Sequence, residues 1–62
     1  MLTGKQLKIK RIMLDIKAIH IAELLEVHRS YISILESGKQ NIPLHIRTKW
    51  ESYLNKREEE MN

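Results

Sequence analysis

Residues 17–39 read KAIHIAELLEVHRSYISILESGK, and the way this stretch divides decides the fold. At a helical period, Ala18, Ile21, Ala22 and Leu25 fall on one face at i, i+3, i+4 and i+7. A second period starts beyond Glu26 and Val27, where Ile32 and Leu35 point inward while Ser30, Ser33, Ile34 and Ser37 point the other way. The spacing predicts two short amphipathic helices, about 18–25 and 29–37, with a tight turn between them. Helices joined this closely cross steeply, which is the geometry of a helix-turn-helix. A second helix with a small, mostly polar outer face fits a DNA major groove.

Outward from this stretch, residues 1–4 form a lead-in in which Thr3 is the available N-cap. A first helix is predicted from about Lys5 to Leu14, and its apolar residues form two stripes. Leu7 and Leu14 share a face with Arg11, whereas Ile9, Ile12, Met13 and Ile16 make a fuller stripe nearly opposite. Periodicity alone buries the fuller one. On the other side, Gly38 closes the second helix of the pair, and Lys39-Gln40-Asn41 is a polar loop. Pro43 suits the first turn of a last helix, whose Ile46, Trp50, Tyr53 and Leu54 recur at i, i+4, i+7 and i+8. That helix is expected over about 43–57, with 58–62 fraying. The fold class is therefore all-α: one compact four-helix domain over 1–62, without repeats or a linker.

Composition narrows the function. The chain has 62 residues and no cysteine, so neither a disulfide nor a thiolate metal site is available. No apolar run nears the roughly 20 residues of a membrane span, and no signal peptide is evident. Residues 1–50 carry nine Lys/Arg against four Asp/Glu, and residues 51–62 carry two against four. A basic body with an acidic tail suits a nucleic-acid partner, although charge alone is weak evidence. His20, His28 and His45 lack metal-ligand spacing, and neither a nucleophile motif nor a phosphate loop is present. We expect no metal, no cofactor and no enzymatic activity.

From Lys8 to Lys39 the chain resembles the Cro and phage-repressor (Xre-type) helix-turn-helix family. The likeness is carried by Lys10-Arg11, Ile21-Ala22-Glu23, Val27, Arg29-Ser30-Tyr31-Ile32-Ser33, Leu35-Glu36 and Gly38-Lys39, and Pro43 continues it loosely. It implies a lambda-repressor-like bundle in which the Leu7/Arg11/Leu14 stripe, not the fuller one, is buried. Arg11 and Glu36 then face each other inside as an ion pair, since each charge is costly to bury alone. The chain departs from the family pattern at several places. Asp15 and Glu26 stand where glycine is usual, Lys17 and His28 where a small polar cap is usual, and Ala18 where a base-contacting glutamine is common. One long last helix replaces two short ones.

The resemblance also implies the function: a sequence-specific DNA-binding repressor of phage or mobile-element genes. It would act in the cytoplasm of a bacterial or phage-infected cell, at the nucleoid. Expected base contacts are Arg29 to a guanine edge, with a phosphate as its other possible partner, Ser30 and Ser33 to either base or phosphate, and Ile34 to a thymine methyl group, the alternative for Ile34 being packing beside the last helix. Expected backbone contacts are Lys17, Tyr31, Lys39, Gln40, Asn41 and His45. The partner is a double-stranded operator bound by a homodimer, because one such small domain reads few bases. The alternative is a protein-binding adaptor, co-repressor or antitoxin subunit, favoured by Ala18, Ile34 and the Ile9/Ile12/Met13 stripe. Two fates are open to that stripe, and the reading taken here combines them as partial cover with a remaining contact patch. The last helix folds back over it with Trp50, Tyr53 and Leu54, or it forms a subunit or partner interface.

Overall fold

The computed structural model describes residues 2–61. Its elements are α1 (Gly4–Met13), α2 (Ala18–Leu25), α3 (Arg29–Ser37) and α4 (Leu44–Met61), and among the described residues there is no strand. α1 begins one residue earlier than the sequence suggests because Thr3 fixes its start. The Thr3 hydroxyl accepts from the Gln6 N–H at 3.1 Å, and Gln6 Oε1 accepts from the Thr3 N–H at 2.9 Å. This reciprocal capping box satisfies two N–H groups that the helix itself leaves unpaired.

The first two helices end alike. Asp15 (φ 59°) and Glu26 (φ 57°) are left-handed, and each is followed by a residue whose N–H reaches five residues back. Ile16 donates to the Arg11 carbonyl at 3.1 Å, and Val27 donates to the Ala22 carbonyl at 3.0 Å. These are Schellman turns built without glycine. Only α3 ends on glycine, with Gly38 at φ 82°.

One core collects Leu7 and Leu14 from the α1 end, Ile16, Ile21, Ala22 and Leu25 around α2, Ile32 and Leu35 from α3, and Ile42, Ile46, Trp50 and Leu54 from the last segment. The conflict within α1 is thereby resolved. Leu7, Arg11 and Leu14 are inside, while Ile9, Ile12 and Met13 are 57%, 56% and 76% exposed. Ile16 does not follow that outer stripe. The left-handed step at Asp15 redirects the chain and leaves Ile16 buried at 4% exposure.

Two features of α4 differ from the sequence reading. Trp50 and Leu54 are fully buried in the core and do not cover the outer stripe of α1. Residues 58–61 continue the helix instead of fraying, and Asn62 lies outside the described residues. The extension has a partner: Lys10 Nζ donates to Asn55 Oδ1 at 2.8 Å and lies 3.7 Å from Glu58. Near the other end of α4, Arg47 donates to the Leu2 carbonyl and sits 3.5 Å from Glu51. No helix is long and apolar enough to cross a membrane among the described residues.

Candidate nucleic-acid interface

The site is α3 and what holds it. Its inner face buries Ile32, Leu35 and Glu36. Arg11 reaches Glu36 through a two-pronged contact, Nε to Oε2 at 2.8 Å and Nη2 to Oε1 at 3.1 Å. Its remaining Nη1 donates to the Ile16 carbonyl at 2.7 Å. One guanidinium therefore joins α1, α3 and the α1–α2 turn. Parallel N–H donors matched to a carboxylate fix direction as well as distance, so the roll of α3 about its axis is set from below.

Gly4 supplies a second tie that the sequence does not reveal. A Cβ at this position would lie 1.9 Å from the Leu35 carbonyl oxygen. The backbones of α1 and α3 meet there at a distance that only glycine permits.

The start of α3 is organised by His28. Its Nδ1 accepts from the Ser30 N–H at 3.1 Å and lies 2.8 Å from Ser30 Oγ. Imidazole thus does the work usually left to a small polar cap. The Ser30 hydroxyl is turned back on this cap, so it is less free than Ser33 to meet another molecule. At the far end, Ser37 Oγ donates to the Ile34 carbonyl at 2.6 Å and accepts from the Lys39 N–H at 3.3 Å. Ser37 thereby sets the path of the loop that carries Lys39, Gln40 and Asn41.

Arg29, Ser33 and Ile34 are exposed on the outer face of α3, Ile34 at 37%. Lys39, Gln40 and Asn41 are exposed just beyond its end. Lys17, exposed at the start of α2, makes no side-chain cap bond. His45 is exposed in the first turn of α4. Tyr31 is half-buried and packs on the core, which makes its ring a support for α3 first. The outer face is thus a compact set: one cation, two hydroxyls and one branched apolar side chain, flanked by a polar loop.

Metal-ligating side chains do not gather in threes anywhere among the described residues. No protein-family model, curated protein sequence or solved structure matches this chain.

Proposed function

We propose that the chain is a sequence-specific DNA-binding regulator of the Cro/phage-repressor helix-turn-helix type, built as a lambda-repressor-like bundle. One observation carries this reading. The exposed face of α3 offers Arg29 and Ser33 beside Ile34 on a helix whose roll is fixed from beneath by Arg11 and Glu36. Arg29 pairs with guanine O6 and N7, Ser33 with a base edge or a phosphate, and Ile34 packs on a thymine methyl group. Ser30 adds a contact through its oxygen while its cap bond persists. Lys17, Lys39, Gln40, Asn41 and His45 hold the duplex backbone, with Tyr31 contributing its ring edge. The regulator acts as a repressor on phage or mobile-element genes in the bacterial cytoplasm, binding its operator as a homodimer.

A second reading has its own support. The uncovered Ile9, Ile12 and Met13 suit an adaptor that binds proteins through the same scaffold. Mobility-shift titration with nonspecific duplex at two salt concentrations separates the two. A DNA binder loses affinity steeply as salt rises, because it releases counterions from the phosphates it covers. An adaptor gives no shift at either salt.

A further inference from the structure

Two contacts meet at one atom of His28. Its Nδ1 lies 3.1 Å from the Ser30 backbone nitrogen and 2.8 Å from Ser30 Oγ. A backbone N–H can only donate, so Nδ1 accepts and carries no proton. The ring is therefore the tautomer with its proton on Nε2. Because Nδ1 has no hydrogen to give, its contact with Ser30 Oγ is closed by the serine's own hydroxyl proton. We infer that His28 makes Ser30 an acceptor-only reader of DNA, matched to the amino group of adenine N6 or cytosine N4.

The inference rests on the reading of α3 as the helix that meets DNA, and it fixes what one hydroxyl there recognises. A free serine is ambiguous, because it donates or accepts as its partner requires. Ser30 is exposed in the first turn of α3, but its proton is spent on His28, so its oxygen offers lone pairs only. In the major groove guanine N7 and O6 and thymine O4 are all acceptors, and phosphate oxygens accept as well. Each would set lone pair against lone pair. Every base pair carries one amino donor in that groove, adenine N6 or cytosine N4. Ser30 thus reads which side of the pair bears it. Turning the hydroxyl outward to meet an acceptor forfeits the 2.8 Å bond to Nδ1. The discrimination is therefore that of one hydrogen bond, roughly two- to tenfold in affinity. His28 acts through Ser30 and is a positioning residue.

Nitrogen NMR of the free protein tests the tautomer without DNA. The neutral His28 ring is expected to hold its proton on Nε2, and a proton on Nδ1 overturns the inference. For recognition, sites are selected from a random duplex library, and affinities across single-base variants are compared between the wild type, Ser30→Ala and Arg29→Ala. Ser30→Ala is expected to flatten the preference at one base pair per half-site. At that pair the amino group is then removed, with purine in place of adenine or 2-pyrimidinone in place of cytosine. The wild type is expected to lose about two- to tenfold in affinity and Ser30→Ala nothing beyond its own deficit. The loss shrinks in His28→Gly, which keeps a tolerated N-cap but frees the hydroxyl to turn to a neighbouring acceptor. A role for His28 in capping alone would instead weaken all sites evenly and leave the amino group's effect unchanged.

The inference is overturned if no base pair depends on Ser30, if amino removal costs the wild type and Ser30→Ala alike, or if His28→Gly loses as much as the wild type. An Arg29-dependent base pair that persists beside any of these results shows that α3 still reads DNA. A wild type that selects no sequence refutes the DNA reading itself, and this inference falls with it.

Discussion

Two junctions hold α3, and they are built to different standards. Where α1 meets α3, Gly4 lets the backbones touch and Arg11 grips Glu36 with two donors while a third reaches Ile16. Where α2 turns into α3, Glu26 is forced into a left-handed conformation and His28 replaces the usual small cap. The first junction is tightly determined and the second is improvised. Removing parts of the first should therefore unfold the domain, whereas the second leaves room for improvement.

The largest effect is expected at the buried pair. Arg11→Ala or Glu36→Ala leaves an uncompensated charge inside and should cost about 3–5 kcal/mol. At the usual stability per residue, a chain this size has roughly 3–9 kcal/mol in total. Either variant should therefore be largely unfolded in a thermal or urea melt; wild-type-like melts for both would dismiss the tight junction. Gly4→Ala comes next. Its methyl group must push α1 from Leu35, an overpacking penalty of about 1–3 kcal/mol that slightly better helix propensity does not offset. A urea midpoint equal to wild type would mean that α1 yields freely.

The α2–α3 turn gives smaller shifts. His28→Ala removes the acceptor for the Ser30 N–H and should cost about 1 kcal/mol. Amide exchange at Ser30 and Tyr31 should speed up with it, and unchanged exchange would show that the imidazole does not cap. Glu26→Gly relieves the left-handed strain but frees the unfolded chain, for a net gain of up to about 1 kcal/mol. A lower melting temperature for Glu26→Gly would reverse the comparison between the two junctions.

The same contrast explains what was legible in the sequence. The α2–α3 pair reads directly, because its apolar residues sit on one face of each helix and its turn is local. α1 does not. Its more apolar stripe lies outside, and the face that is buried contains an arginine whose partner is 25 positions away. Period alone chooses the wrong side, and only the family-like register of Arg11 and Glu36 corrects it. Gly4 was unreadable because its need for glycine comes from the Leu35 carbonyl, a contact between helices. Ile16 departs from its expected stripe for a related reason: a helical wheel has no meaning past the left-handed step at Asp15. The end of α4 looked like a solvated acidic run, and the Lys10 contacts that extend it depend on two helices lying side by side. On the candidate site, exposure of Arg29, Ser33 and Ile34 follows from the period of α3. The turning of Ser30 towards His28 does not, because it depends on which way one imidazole rotates.

The central claim is that the outer face of α3 reads DNA, and Arg29 tests it most directly. Sites are first selected from a random duplex library with the wild-type chain, and the affinity of Arg29→Ala for the selected site is then measured across single-base variants. The account predicts a folded variant that binds the selected site about 1–3 kcal/mol more weakly and loses its preference at one base position per half-site. A folded Arg29→Ala that binds the selected site and its variants as the wild type does would contradict it.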